Sequence, residues 1–381
     1  MNPNIQIANR SVMQNVPIPC ENSETNEIKL RGLKVMLPHG GLPEAVSPYM
    51  VRLINKTGGV DGPLGKQFIA QPEKEKCFTE VGFDPLIEDH HEVAPGLVYK
   101  YRGELDKDGK VLHHGRALWT ITRLCATYCR FCTRGREVGI PPHVKARTKA
   151  TIANKFFLSD EEIRQVFNFL EEHKEINEVI LSGGDPLTAP QAYLTKIVDG
   201  LASLQQRGVL DIVRIGTRLP IHNPLAVENW HYELLARLKN PYLMLHTNHP
   251  LELTEEAKQV VNNFRRISLA TVLSQTVLLK GVNDSEQTLY ELFVNLTREG
   301  IRPYYVFQND PVYWARHFTV PIKDAIKIWG NLRARLSGVA ATARFVIDVP
   351  YGYGKIPIPE GNAWNIDYSQ FIDFKGTKHK L

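Results

Sequence analysis

The stretch Arg116-Ala-Leu-Trp-Thr-Ile-Thr-Arg-Leu-Cys125-Ala-Thr-Tyr-Cys129-Arg-Phe-Cys132 runs from a β-rich segment directly into three cysteines. Residues 117–122, ALWTIT, combine apolar, aromatic and β-branched side chains, the composition of a buried strand. The cysteines follow at CxxxCxxC spacing, with Phe131 directly before the last. Three thiolates this close can hold three irons of a [4Fe–4S] cluster, and no fourth cysteine stands nearby for the last iron, which is left open for a ligand. Zinc is the alternative, but its sites usually take four Cys or His ligands in paired units, so it would need a distant histidine. Cys20 and Cys77 complete the five cysteines and read as ordinary thiols. So sparse and odd a count is not a disulfide framework, and clustered thiols suit a reducing compartment.

Outward from this stretch the text stays regular. Six more β-rich runs follow: EVILSGG (178–184), LDIVRIGT (210–217), YLMLHTN (242–248), ISLATVL (267–273), PYYVFQ (303–308) and RFVIDVP (344–350). Helical stretches lie between them. Ser159 with Glu162 forms a capping box that opens a helix reaching His173; Thr254 and Asp284 sit where N-caps belong, and Gly300 and Gly338 where C-caps belong. Seven strands with six crossovers predict an α/β fold, an incomplete TIM-like (βα)6 barrel rather than a doubly wound sheet. The expected organisation is a loose leader (1–40), a helical N-terminal extension (41–110) with a helix over 43–55, the barrel (111–360) and a C-terminal tail (361–381).

In such a barrel the working residues come from the C-terminal strand ends and the loops after them. Cys125, Cys129 and Cys132 follow the first strand, and Gly183-Gly184-Asp185-Pro186 end the second. Arg218 follows the third, His246 and Asn248 end the fourth, and Asp348 and Lys355 end and follow the last. The paired glycines let backbone approach a ligand closely, and Asp185 offers a carboxylate to an ammonium group; alone, such a segment is a plain tight turn. Lys355, in the glycine-bearing loop Asp348-Val-Pro-Tyr-Gly-Tyr-Gly-Lys355, is a candidate Schiff-base residue, against the ordinary reading of a solvated surface lysine.

Composition narrows the field. Apolar residues at 43%, charged residues at 23% and a net charge of +5 describe a soluble globular protein. Basic residues are scattered, so nucleic acid is not an expected partner, and the cluster Arg130, Arg134 and Arg136 beside the cysteines suits small anions. No run of about 18 apolar residues predicts a membrane span, and the N-terminus lacks the pattern of a secretory signal. A cytoplasmic protein is expected.

The motifs in their order resemble the lysine 2,3-aminomutase family, radical S-adenosylmethionine (SAM) enzymes that also use pyridoxal phosphate (PLP). The resemblance runs from about residue 40 to about residue 360 and includes Asp84-Pro-Leu with Glu88-Asp89, Pro95-Gly-Leu, CATYCRFCTRGREVG, SGGDPL, RIGTR, HTNHP, LLKGVND, RPYYVFQND and DVPYGYGK. It implies a radical SAM barrel carrying a [4Fe–4S] cluster on Cys125, Cys129 and Cys132, with SAM on its open iron and PLP on Lys355. It places Gly183, Gly184, Asp185, His246 and Gln275 on the cofactor surface, with Gly183–Asp185 toward the amino group of SAM. Arg116 resembles a PLP phosphate ligand, and Arg218 a further member of that anion site. Arg134 matches the arginine that pairs with the substrate α-carboxylate, for which a planar fork is suited.

Asp284 and Asp348 match two carboxylates that hold the distal ammonium of lysine in lysine-specific members. Each also has an ordinary reading, Asp284 as a helix cap and Asp348 as a buried ion-pair partner. The implied reaction moves the α-amino group of a basic L-amino acid to the β-carbon, L-lysine to L-β-lysine first and arginine second; a glutamate enzyme should not set two carboxylates against its substrate side chain. The same motifs leave open a relative that supplies lysine for protein modification and a radical SAM enzyme of different chemistry without PLP. More remote is a non-enzymatic iron–sulfur sensor, which leaves Arg134 and Lys355 without a task. An electron donor such as flavodoxin or ferredoxin is implied.

Departures from the family accompany the likeness. Tyr351 and Tyr353 interrupt the glycine loop, a turn-like insertion spans 103–115, and Lys100 stands where an arginine is usual. No cysteine follows Cys132, so any homo-oligomer would form without the family's C-terminal zinc site. The adjacent His90 and His91 do not by themselves make a metal site.

Overall fold

Strands with alternating inward and outward side chains, joined by amphipathic helices, form a sheet that curls around its own inward residues. The computed structural model describes residues 44–71, 73–75, 84–139, 155–350 and 354–359, with short segments at 20–21, 27–30, 33–36, 369–372 and 377–380. Cys77, Tyr351 and Tyr353 lie outside the described residues.

Ten strands make the main sheet: β1 (Glu92–Ala94), β2 (Leu97–Tyr101), β3 (Gly115–Thr122), β4 (Ile176–Gly183), β5 (Ile212–Thr217), β6 (Tyr242–His246), β7 (Thr271–Leu278), β8 (Arg302–Gln308), β9 (Arg344–Asp348) and β10 (Lys355–Pro357). They lie in chain order, β3 to β9 parallel, with β1, β2 and β10 antiparallel at the ends. The end strands β1 and β10 do not pair with each other, so the barrel is open. This is the incomplete α/β barrel that the seven runs predict.

Helices α3 (Asp160–Glu172), α4 (Gln191–Gln206), α7 (Glu255–Ile267), α8 (Glu286–Arg298) and α9 (Ile322–Arg335) cover the outer face, with the shorter α5 (Leu219–His222) and α6 (Asn229–Leu235) between β5 and β6. Outward residues such as Val179, Leu181, Val213, Ile215, Leu243 and Leu245 are buried beneath them. Each such side chain contributes about 1.5–3 kcal/mol of burial. The helix starts follow capping chemistry: Ser159 and Glu162 form the reciprocal capping box of α3, and Thr254 accepts from Ala257 N to cap α7. No helix among the described residues is long and apolar enough to cross a membrane.

Several expectations are corrected. The fifth run, expected at 267–273, begins only at Thr271, because Ile267 ends α7, Ser268 caps it and Leu269 turns with φ +52°. Ser285, not Asp284, caps α8. Gly300 follows α8 with φ +69°, as a helix-ending glycine should, whereas α9 stops at Arg335 with Leu336 at its cap, short of Gly338. The expected helical extension does hold α1 (Pro48–Lys56) and α2 (Pro63–Phe68), but it also gives the sheet β1 and β2. The insertion at 103–115 is a small hairpin, Glu104–Leu105 against Val111–His113. Within the leader, Cys20–Glu21, Glu27–Leu30 and Leu33–Met36 pair antiparallel.

Candidate active site

Alternate residues of the strands face the lumen and bound a cavity of about 630 Å³. The inward stripe of β4 is Glu178, Ile180 and Ser182, and that of β6 is Tyr242, Met244 and His246. The cavity has two chemically different walls.

The first wall is built by the loop after β3. Cys125, Cys129 and Cys132 all border the cavity. Burial pushes each thiol up, aided for Cys132 by neighbouring Cys129 and taking it to about 12, so the metal-free thiols stay protonated. No three His, Cys, Asp or Glu side chains among the described residues gather on a single metal ion. A cluster makes a different demand, one soft thiolate for each of three irons, which this donor set meets.

The glycine turn after β4 docks on the back of the cysteine loop. Gly184 N donates to Thr122 O and Asp185 N to Leu124 O, both at 2.7 Å. A Cβ on Gly183 (φ +122°) would stand 2.3 Å from Thr122 O, and one on Gly184 2.2 Å from Leu124 O. That contact, more than ligand approach, requires the glycines. Asp185 is occupied inside the fold: Oδ2 accepts from Arg218 N at 2.7 Å, and Oδ1 from Thr217 Oγ1 at 2.7 Å and Leu187 N at 3.1 Å.

Arg218 is also placed differently from expectation. It is buried at the cysteine wall, where Nη1 donates to Cys129 Sγ at 3.0 Å, far in role from a phosphate site. Its neighbour His246 borders the cavity with a buried Nε2 that has no hydrogen-bond partner among the described residues. Burial, then the Arg218 charge, holds the His246 imidazole well below its usual range and therefore neutral. Gln275, beside His246 in register, shares that wall.

The second wall lies where β9 and β10 meet the front of β2 and β3. Asp348 and Lys355 are register partners across the β9–β10 pair, and Lys355 Nζ makes a short ion pair with Asp348 Oδ2. Lys100 Nζ is 3.6 Å from Asp348 Oδ1, and Tyr101 Oη donates to the same oxygen at 2.6 Å. Burial opposes ionisation of Asp348, but the Lys355 and Lys100 charges outweigh it and hold the carboxyl at about 2. Lys355 Nζ is ringed by Phe307, Tyr101 and Tyr305, with ring centres 5.1, 5.8 and 5.9 Å away. Arg116 stacks on Tyr101 with its guanidinium carbon 3.8 Å from the ring centre. Cations flanked by aromatic faces fit a planar anionic cofactor such as PLP.

Arg134 spans the interior between these walls. Glu88 grips it with two bonds, Nε to Oε2 at 2.8 Å and Nη2 to Oε1 at 2.7 Å, while Nη1 donates to Ser182 Oγ at 3.2 Å. Burial disfavours the Glu88 charge, yet Arg134 and Arg136 hold that carboxyl at about 2.

Cys125, Cys129, Cys132, Gly183, Gly184, Asp185, Arg116, Arg134, Arg218, His246, Gln275, Asp348 and Lys355 thus border one cavity. Asp284 is not brought there: its Oδ1 accepts from Gly281 N at 2.8 Å inside the loop after β7. Among the carboxylates that line the cavity, Glu88 and Asp185 are engaged by Arg134 and Arg218, and Glu178 by Arg214; Asp310, the last residue of RPYYVFQND, shares the cavity with Asp348 and is given no role by the sequence motifs. Asp310 Oδ2 accepts from Thr133 Oγ1 at 2.7 Å; burial, then the Asp348 charge, raises its carboxyl to about 6. The strand-end rule could have found it, since Asp310 lies two residues past β8.

Comparisons with known proteins identify the family. The family model described as the Radical SAM superfamily matches residues 119–293. An Aquifex aeolicus protein named as a candidate L-lysine 2,3-aminomutase is 33% identical over 321 residues, 84% of this chain and 78% of its own. L-lysine 2,3-aminomutase of Clostridium subterminale is 31% identical over 315 residues (82% and 68%), and glutamate 2,3-aminomutase of Clostridioides difficile 28% identical over 337 (88% and 70%).

Proposed function

Because this chain belongs to the lysine 2,3-aminomutase family of radical SAM enzymes, we propose that it moves the α-amino group of a basic L-amino acid to the β-carbon, with L-lysine as substrate and L-β-lysine as product. The observation that carries the substrate reading is the carboxylate pair Asp310 and Asp348 in the cavity that also holds Lys355. A side chain ending in an ammonium or guanidinium gains opposite charge beside that pair, whereas a glutamate side chain would set a further carboxylate against it.

Bound cofactors supply the hard chemistry: the cluster with SAM generates a radical that removes a hydrogen atom, and PLP supplies the electron sink that lets nitrogen migrate. The chain's own residues orient the partners. Cys125, Cys129 and Cys132 would hold the cluster, Lys355 the PLP carbonyl carbon, and Arg116 with Lys100 its phosphate. Glu88 takes Nε and Nη2 of Arg134, and the Nη1 side, bound to Ser182 Oγ, would meet the α-carboxylate. Phe131, Phe307 and Tyr305 give the space between the walls an apolar lining.

The test is an anaerobic product screen with lysine, arginine, ornithine and glutamate, after reconstitution with iron, sulfide and PLP and reduction in the presence of SAM. β-Lysine is the expected product; turnover of glutamate with lysine inert overturns the reading. β-Arginine as the main product moves the substrate to the guanidinium side of the same charge logic.

A further inference from the structure

Arg218 is held more tightly than its place beside a ligand loop requires. Its main-chain N–H donates to Asp185 Oδ2 at 2.7 Å. Nη2 donates to both oxygens of Glu252 at 3.0 Å and to Gln67 Oε1 at 2.8 Å. Glu252 is wholly buried and also accepts from Gln67 Nε2 at 2.8 Å, Thr247 Oγ1 at 3.0 Å and Asn248 N at 3.1 Å. The guanidinium lies 4.9 Å from the Phe68 ring centre and 5.5 Å from that of Phe131. All these contacts leave Nη1 pointing at Cys129 Sγ, 3.0 Å away.

The paired Glu252 cancels most of the net charge. What reaches the sulfur is an oriented donor, the positive end of a fixed dipole on a buried guanidinium. A hydrogen bond to a cluster sulfur favours the form carrying more negative charge, the reduced one. We propose that Arg218, acting through Cys129, is a positioning residue that raises the reduction potential of the cluster and so eases its one-electron reduction by a low-potential donor such as flavodoxin. The proposal rests on the reading that the three cysteines hold a [4Fe–4S] cluster.

The experiment is a mediated redox titration of the reconstituted full-length protein, followed by electron paramagnetic resonance of the reduced cluster. The variant is Arg218→Met with Glu252→Gln, which removes the buried pair together and leaves no orphaned carboxylate. At a fixed potential its ratio of reduced to oxidised cluster should fall about tenfold, a downward shift of ~59 mV for one electron. An unchanged midpoint in a variant with full iron and sulfide content overturns the proposal while leaving the cluster intact. A wild-type protein that takes up no cluster defeats the underlying reading instead. If the double variant cannot assemble a cluster, pulsed resonance on wild-type protein carrying guanidino-¹⁵N arginine decides: coupling of that nitrogen to the reduced cluster supports the proposal, and its absence overturns it.

Discussion

Asp348 is the residue on which the second wall turns. It faces Lys355, Lys100 and Tyr101 at once and stays ionised because two ammonium groups outweigh its burial. Replacing Asp348 with Asn sets those cations against each other without a counter-charge and removes a charge-assisted partner for the substrate. The loss should be about 1.5–3 kcal/mol, some 10–100-fold in kcat/KM for lysine. Steady-state kinetics with lysine checks it, and an unchanged kcat/KM would remove Asp348 from the substrate site. Asp310 behaves oppositely. Its folded carboxyl is raised from 3.8 to about 6, so between those values the folded state keeps a proton that the unfolded state has lost. Stability must then fall as pH rises through that window, and the cost persists above it. Asp310→Asn, a neutral mimic of the protonated acid, should stabilise the cofactor-free protein at pH 8 by roughly 1–3 kcal/mol. The gain should fade as pH falls toward 4. Denaturant melts at pH 4.5 and 8 test the sign, and a gain confined to low pH would refute it.

At the scale of elements, the glycine turn after β4 and the cysteine loop after β3 form one unit. Their backbones touch at 2.7 Å, and a methyl at residue 184 would drive into Leu124 O. Gly184→Ala should cost about 1–3 kcal/mol of stability as an overpacking change. Because the displaced backbone precedes Cys125, iron bound after reconstitution should fall as well. Iron and sulfide assays beside a thermal melt measure both; normal loading at normal Tm would mean the loop yields freely. The elements most legible in the sequence are those written in local chemistry. The capping box of Ser159 and Glu162, the Thr254 cap and the seven apolar runs each carry their own signal. Where tertiary context decides, local patterns mislead. Ile267-Ser268-Leu269-Ala270 looks like a strand start but is a helix end, since Leu269 adopts a left-handed turn. Asp284 and Asp310 are both acids in loops after strands β7 and β8, but the first turns back onto Gly281 N while the second lines the cavity. Asp185 and Arg218 stand out as site residues in the sequence, but their actual partners, Thr217, Glu252 and Cys129, lie 32, 34 and 89 positions away.

For the whole molecule, the open barrel poses a mechanical question. The sheet runs from β1 to β10 without closing, yet the candidate PLP lysine sits on the last strand and the candidate phosphate ligands on or beside the first few. Both halves must keep a fixed spacing for one cofactor to span them. Backbone pairing does not provide this across the seam. Side chains do: Tyr101 Oη donates to Asp348 Oδ1, and Lys100 reaches the same oxygen. Tyr101→Phe keeps the ring under Arg116 and deletes only the hydroxyl, so it isolates the strap. A hydrogen bond to a buried carboxylate contributes about 1.5–3 kcal/mol. Its loss should appear locally, as faster amide exchange in β9 and β10 while β4 to β6 keep their protection. PLP bound across both halves should restore much of that protection, since a ligand that binds only the assembled state stabilises it by mass action, about 2.7 kcal/mol at a hundredfold excess over Kd. Hydrogen-exchange mass spectrometry with and without PLP distinguishes the outcomes. Uniform exchange in wild type and variant would mean that the seam is held by something other than Tyr101.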